Sequence, residues 1–322
     1  GERWWRGGLH MHTGHSDGTC ASRKGARIPC PVFKTLEAAV ARGLDFVAVS
    51  DHNTTSQLAA LRELAPYYDD LLIVAAREIT TFHGHANLLG STAFVDFQLG
   101  GPRAPKFADI QKQARATGGL LSINHPGLPS GEFCMGCGWT VADTDYSRID
   151  AVEVVNGGFA EGPLSGMAFW EARLNAGLRL AAIGGSDNHD PTLDPAKAPA
   201  IGLPTTVVRA AELSQAAILQ AIGAGHVFID VAGTRTRLLD VAAASGSGRA
   251  QMGDELPAPA GAKVEVSVHV AGVPGGRIVI AGDAAGLARP GELGVASADQ
   301  SLAFDLIADG RPRWLRVDVR DG

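Results

Sequence analysis

Residues 33–52 read FKTLEAAVARGLDFVAVSDH, and this stretch decides the architecture of most of the chain. Phe33 to Arg42 carries its apolar residues at helical spacing, and Gly43 ends the helix. Asp45-Phe46-Val47-Ala48-Val49-Ser50 follows as a short apolar run, the pattern of a strand buried in a parallel sheet. The run then stops on Asp51-His52, two side chains that bind metals or move protons.

The same unit recurs along the chain. Leu58 to Leu64 is helical and stopped by Pro66; the run Leu71-Leu72-Ile73-Val74-Ala75-Ala76 then leads through Arg77 to Glu78. His85 to Leu89 reads as a further strand behind His83-Gly84. The helix Phe107 to Thr117, closed by Gly118-Gly119, precedes the strand Leu120 to Asn124 and His125-Pro126. Ile149 to Val155 is a strand, Leu164 to Asn175 a helix, and Leu180 to Ile183 a strand followed by Asp187-Asn188-His189. Thr205 to Arg209, the helix Glu212 to Ala224 and the strand Val227 to Ile229 complete the set. Apolar strands separated by helices predict a parallel α/β sheet, and this many units predict a closed or nearly closed barrel.

After Gly233 the texture changes. Val264 to Val270 and Leu315 to Val319 alternate with period two, and Arg277 to Ala281 and Ser301 to Ile307 add further strands between Gly- and Pro-rich turns. The division expected is a barrel over residues 1–232 and a small antiparallel β-sandwich over 233–322.

Eight of the ten histidines fall in five short clusters beside the barrel strands. In a β/α barrel the C-terminal strand ends carry the functional side chains. Imidazoles and carboxylates delivered repeatedly to that rim are what a multinuclear metal site needs. His10-Met11-His12 is the strongest local signal, because residues two apart on a strand face the same side. Asp17 lies in the turn Ser16-Asp17-Gly18, which folds a carboxylate back toward that pair, with His15 an alternative ligand or a substrate contact. His52, Glu78, His85, His125, Asp187 and His189 are the remaining candidates, and Glu78 can offer one oxygen to each of two metals. Asp51 is expected to orient an imidazole or position a metal-bound water, and His83 to contact substrate or transfer a proton. Asn156 and Arg23 are candidate substrate contacts, Arg23 in a basic loop with Lys24 and Arg27. His226 and His269 stand outside the clusters and read as structural.

The composition narrows the partners. Of 322 residues 45% are hydrophobic and 19% charged, so a large core is expected and disorder is not. A net charge of −6 argues against nucleic acid or an anionic membrane as the main partner and leaves a small-molecule substrate. No apolar stretch approaches the roughly 18 to 20 residues of a membrane span. No glycine-rich phosphate loop is present, and no organic cofactor is expected. The chain opens on Gly1-Glu2-Arg3 without an initiator Met, as after removal of a leader or at a boundary chosen within a longer chain, and a periplasmic or secreted location is expected. The cysteines form two close pairs, Cys20 with Cys30 and Cys134 with Cys137. Disulfides within these pairs are favoured over reduced thiols and over a metal site, with a cross-pairing between the two loops left open.

These motifs resemble the PHP superfamily, named for polymerase and histidinol phosphatase. The match covers roughly residues 8 to 229: His-x-His at 10–12, Asp-His-Asn at 51–53, Glu78, Asn-His-Pro at 124–126 and Ser-Asp-x-His at 186–189. The resemblance implies a distorted seven-stranded β/α barrel. It also implies nine ligands (His10, His12, Asp17, His52, Glu78, His85, His125, Asp187 and His189) around two to three divalent ions, Zn, Mn or Fe. The activity it implies is metal-dependent hydrolysis by a metal-bridging hydroxide, with a phosphomonoester or phosphodiester the favoured substrate. A looser similarity, at residues 78–81, 84–87 and 153–157, is to a secreted branch that includes carbamate-insecticide hydrolases. It keeps carbamate, amide or carboxylic ester hydrolysis as the alternative, with a non-enzymatic metal-binding module as a third reading.

Overall fold

The computed structural model describes residues 1–288 and 292–322. Its first part contains β1 (Arg3–Gly8), the hairpin β2 (Thr19–Ala21) and β3 (Arg27–Pro29), α1 (Val32–Arg42), β4 (Phe46–Val49), α2 (Gln57–Leu64), β5 (Leu72–Thr81), β6 (Gly84–Leu89), α3 (Phe107–Ala116) and β7 (Leu120–Ile123). It continues with β8 (Ala151–Asn156), α4 (Met167–Asn175), β9 (Ala181–Gly185), β10 (Thr205–Ala210), α5 (Gln215–Ala224) and β11 (Val227–Asp230).

One mixed sheet runs in the order β11-β10-β1-β4-β5-β6-β7-β8-β9. Its seven strands from β1 to β9 form a distorted ring. The seam is closed just beyond the strand ends, where Met11 bridges Asn188 in parallel and the Asp187 and His12 amides donate to the His10 and Asn188 carbonyls. The expected seven-stranded barrel is thus present, but it is not wholly parallel. β6 runs antiparallel to both β5 and β7, and β10 and β11 extend the sheet antiparallel from β1 and stand against β9, where Thr206 Oγ1 bonds the Gly184 amide and carbonyl. A tight turn at Phe82-His83 returns the chain directly, leaving no room for the crossover helix that a parallel neighbour requires. The first ring strand also precedes the place expected for it. β1 ends at Gly8, and His10 and His12 lie on the extended segment that follows.

β4, β6, β7 and β8 bury every residue, as strands covered on both faces do. α1 ends as its sequence predicts: Gly43 takes the left-handed conformation at φ 73°, and its amide bonds the Ala39 and Val40 carbonyls. α1 and α2 pack Leu36, Ala39 and Leu61 against Val47 and Val49, while α3 sets Phe107 and Ile110 against Ile123 and Val152.

Residues 238–320 form two antiparallel sheets. The first orders β13 (Gly248–Gln251), β12 (Leu238–Ser245), β14 (Lys263–Ala271) and β17 (Asp299–Ile307); the second orders β16 (Glu292–Gly294), β15 (Arg277–Ala281) and β18 (Arg316–Arg320). Val264, Val266, Val268, Val270, Ile278, Ile280, Phe304 and Leu306 fill the space between them. This is the expected sandwich. It meets the barrel through Trp314 to Asn175, Arg316 to Glu171, and His226 to Asp254. No helix among the described residues is long and apolar enough to cross a membrane.

Candidate metal centre

All nine expected ligands converge at one end of the ring. Four overlapping groups hold their donor atoms within 4.8 Å: His12, Asp17, His52 and His189; His10, Glu78 and His125; His10, His12 and Asp187; His52, Glu78 and His85. The strand directions explain the convergence. β4, β5, β7 and β9 run toward this rim, so residues just beyond or near their ends arrive there. β6 runs away from it, so its second residue, His85, arrives there too. A ligand at the start of a strand and ligands at the ends of others therefore share one rim.

Backbone conformation aims several of these side chains. Among the described residues only three other than glycine have positive φ: Asn53 at 52°, His125 at 28° and Asp187 at 53°. Two are candidate ligands and the third follows one. Each residue held in this region costs on the order of 1–3 kcal/mol, and such strain collects at functional sites. Asn, Asp and His are the side chains that most often tolerate it. Gly185 serves the same end by being small, because a Cβ there would lie 2.3 Å from Glu153 Oε2 and 2.5 Å from the His10 Cβ.

The spacing of the donors suits shared cations. His10 Nε2 lies 3.4 Å from Glu78 Oε1 and 3.2 Å from Asp187 Oδ1; His85 Nδ1 and His125 Nε2 lie 3.3 and 3.4 Å from Glu78 Oε1. His189 Nε2 stands 3.3 Å from Asp17 Oδ1. Two ligands of one tetrahedral zinc stand about 3.3 Å apart, given bonds of about 2.0–2.1 Å. His10 Nε2, His12 Nδ1, His85 Nδ1 and Glu78 Oε2 are buried and have no hydrogen-bond partner, a costly state that a bound cation relieves at the three atoms facing the cluster. The donor set is nitrogen and carboxylate oxygen, as zinc, manganese and iron accept. The residues fit the group.

The outward nitrogens of four of the imidazoles are held as metal-binding histidines require, that of His12 being the exception. His10 Nδ1 donates to Glu153 Oε2 at 2.8 Å and His189 Nδ1 to the Asp187 carbonyl at 2.8 Å. His85 Nε2 donates to the Met135 carbonyl at 3.0 Å, and His125 Nδ1 meets Cys137 Sγ at 3.3 Å. Asn124 Nδ2 donates to Glu78 Oε1 at 2.9 Å and fixes that carboxylate.

The electrostatics are those of crowded charges without a cation. Burial works against every charged form here, but Asp187, Glu153 and Glu78 outweigh it at His10 and raise its pKa well above the ordinary value. His52 and His125 are raised in the same way, chiefly by Glu78. His189 is raised to about 9 by Asp17 and Asp187 despite its burial. His12 goes the other way, to about 4, because burial and the neighbouring His52 and His189 prevail over its bond to Asp187. Burial favours protonated carboxyls at Glu78 and Asp187, yet the surrounding imidazoles hold both well below the usual range. Asp17 is lowered to about 2 by His189, His52 and His12.

The cluster opens on one side. Glu78 is fully enclosed, whereas the side chains of His52, His189 and Asp17 are 24%, 37% and 57% exposed. These three line the open side of the cluster.

Four other expected residues differ in placement. Asp51 is fully buried but touches neither an imidazole nor the centre; its carboxylate accepts from the Thr13 amide, Thr13 Oγ1 and Ser16 Oγ. It pins the turn that carries Asp17, where an imidazole or a metal-bound water was the expected partner. Asn156 is buried and donates through Nδ2 to Glu153 Oε1 at 2.7 Å and Asp187 Oδ2 at 3.2 Å, so it steadies a ligand. His83 is exposed at the tip of the β5–β6 hairpin, and Arg23 is exposed between β2 and β3. Neither side chain has a hydrogen-bond or ion-pair partner among the described residues. His15 bonds Ser56 Oγ at 2.8 Å.

Sequence reasoning missed the role of Glu153. Its signal was a carboxylate inside the apolar strand Ala151-Val152-Glu153-Val154-Val155, a position where burial demands a partner. Both cysteine pairs form the expected disulfides, Cys20–Cys30 and Cys134–Cys137.

No family model matches the sequence, and no curated protein matches it. Among solved structures, the chain is similar to a two-domain protein from Bacteroides vulgatus containing a predicted PHP-like metal-dependent phosphoesterase. That match has a TM-score of 0.54 at 18% identity, covering 96% of this chain and 88% of that one. A protein from Bifidobacterium adolescentis inferred to be a metal-dependent phosphoesterase aligns at 0.41 and 17% identity, over 57% of this chain and 87% of that one. An amidohydrolase from Chromobacterium violaceum aligns at 0.36 and 16% identity, over 58% and 89%. The first likeness spans barrel and sandwich alike. The chain shares the fold of that protein.

Proposed function

We propose, from a PHP-like barrel whose rim gathers nine metal-binding side chains, that this protein is a metal-dependent hydrolase acting on a small phosphate mono- or diester. The observation that carries the reading is the set of buried donors spaced at about the separation of two ligands on one cation and lacking hydrogen-bond partners. Divalent ions bound there would polarise the scissile bond and supply a nucleophile at neutral pH. The ligand carboxylates are three, Asp17, Glu78 and Asp187, so three divalent ions would leave a net positive centre even with a hydroxide and the buried Glu153 counted, whereas two would not. That charge favours an anionic phosphate over a neutral carbamate or ester.

The chain's own residues hold this arrangement. Glu153 keeps the His10 proton on Nδ1 and leaves Nε2 free, and the Asp187 carbonyl does the same for His189. Asn156 and Asn124 fix the carboxylates of Asp187 and Glu78. Asp51 locks the Thr13–Ser16 turn, which sets Asp17 at the open side. His83 and Arg23, free of partners on nearby hairpin tips, are assigned to contact the leaving group or the phosphate. We assign residues 1–232 to the catalytic barrel and 233–322 to an accessory domain. Two disulfides support a periplasmic or secreted setting.

The test pairs elemental analysis with a substrate panel: an aryl phosphate monoester, an aryl phosphodiester and naphthyl N-methylcarbamate, each with Mn, Zn or Fe added. Turnover of a phosphate substrate is expected. Turnover of the carbamate alone transfers the site to the alternative, and no turnover by metal-loaded protein leaves a binding module.

A further inference from the structure

The loop 134–137 stands against the centre, where the Met135 carbonyl and Cys137 Sγ meet the outward nitrogens of His85 and His125. Cys134 and Cys137 bring their sulfurs within 4.8 Å of donor nitrogens of His85 and His125, so the four residues form a separate potential ligand group. His85, His125 and Cys137 are buried and Cys134 is half-buried, with Phe133 and Met135 exposed beside it. The loop is seated closely: a Cβ on Gly136, whose φ is +84°, would lie 2.0 Å from the Thr81 carbonyl oxygen. Two imidazoles and a Cys-x-x-Cys pair make a tetrahedral Cys2His2 set, the donor chemistry of zinc and its borderline-soft relatives. The sulfurs are tied to each other in the disulfide, and a disulfide is a poor ligand.

We propose that reduction of Cys134–Cys137 creates a second metal site, Cys134, Cys137, His85 and His125, which competes with the main centre for its two histidines. The orientation of the rings carries the competition. His85 turns Nδ1 to Glu78 and Nε2 to the Met135 carbonyl; His125 turns Nε2 to Glu78 and Nδ1 to Cys137. A neutral imidazole has one lone pair, so a ring that serves the thiolate side presents N–H to Glu78. The nine-donor centre and the Cys2His2 site are therefore alternatives, selected by thiol redox state.

The redox step balances with a small dithiol as reductant. Its thiolate attacks Cys134, the more exposed sulfur, and Cys137 leaves and takes a proton. The reductant's second thiol then releases Cys134 and closes the reductant into its own disulfide. Two electrons pass to the protein, and two protons are released when the cation binds the two thiolates.

The experiment is titration of the folded full chain with Co2+ after treatment with a small dithiol and anaerobic desalting. A near-ultraviolet thiolate-to-cobalt charge-transfer band is expected, saturating at a single cobalt. The band should be absent from the oxidised protein and from Cys134→Ser and Cys137→Ser, and retained in Cys20→Ser/Cys30→Ser. Reduced protein that exposes the thiols and binds cobalt without the band overturns the proposal, as does a band that survives Cys137→Ser. Thiols that stay unreactive in the folded protein overturn it too. The readout is thiolate ligation, so it stands or falls apart from any hydrolytic activity.

Discussion

The barrel buries charged and polar side chains along with apolar ones, whereas the sandwich buries apolar ones alone. Among the described residues, every buried polar or charged side chain lies at or before Asp230, while the sandwich core holds only aliphatic residues and Phe304. The sandwich alternates: Val264, Val266, Val268 and Val270 point inward, and Lys263, Glu265 and Ser267 are exposed. Its interior does one thing, removing apolar surface from water at about 25 cal/mol per Å2. The barrel rim instead buries imidazoles and carboxylates that water would solvate better, a cost that bound cations offset. The barrel thus carries the chemistry on top of an apolar core of its own, and the sandwich carries an apolar core alone.

Substitution of a ligand should break this contrast most severely. Asp187→Asn or His12→Ala is expected to strip bound metal and lower hydrolysis by on the order of 10^3-fold. Elemental analysis and initial rates read both, and full activity in either variant removes the proposed site. Ile278→Ala should do the reverse, costing about 2–5 kcal/mol of stability. Rates per folded molecule should be unchanged; a larger loss would show that the sandwich helps shape the site. Glu153→Gln is expected to weaken metal retention by roughly 10–100-fold. A chelator competition yielding wild-type affinity would end its assignment as the partner that orients His10.

The mildest effect concerns protons. His10, His52, His125 and His189 have raised pKa values without metal, so binding must displace their protons and metal affinity should climb with pH. In the metal-free protein the His189–Asp17 pair stabilises the fold with both partners charged. The His189 contribution is complete below the ordinary histidine value and fades as pH rises through about 9; that of Asp17 is complete above the ordinary carboxyl value and fades as pH falls through about 2. Proton release on adding metal to a weakly buffered solution checks the first statement, and the sandwich offers no counterpart. Metal uptake without proton release would contradict the raised values.

The ring strands and their ligands were legible because each apolar run ends on a residue type that has no reason to sit there. Strand direction was not. His85 to Leu89 reads the same whichever way it runs, and only the short Phe82-His83 turn forces it to reverse. β10 and β11 look like ring strands in sequence, because pairing partners leave no trace in periodicity. β12 and β13 also escaped notice, since Leu238 to Gln251 is half-buried and rich in small residues. At the site, the chemistry of Asp51 was legible but its direction was not: whether a carboxylate turns to a metal or to Thr13 depends on a loop fold that spacing does not encode.

The seam between Met11 and Asn188 carries a consequence for how the molecule is made. His12 and Asp187 meet across a sequence separation of 175 residues, at the point where the ring shuts. Contacts of such range form late, because the chain must surrender loop entropy before they return anything. A cation captured there holds the first and last ring segments together as they meet. An ion bound at that point would act on folding as well as on chemistry, as a clasp on the two segments that meet last.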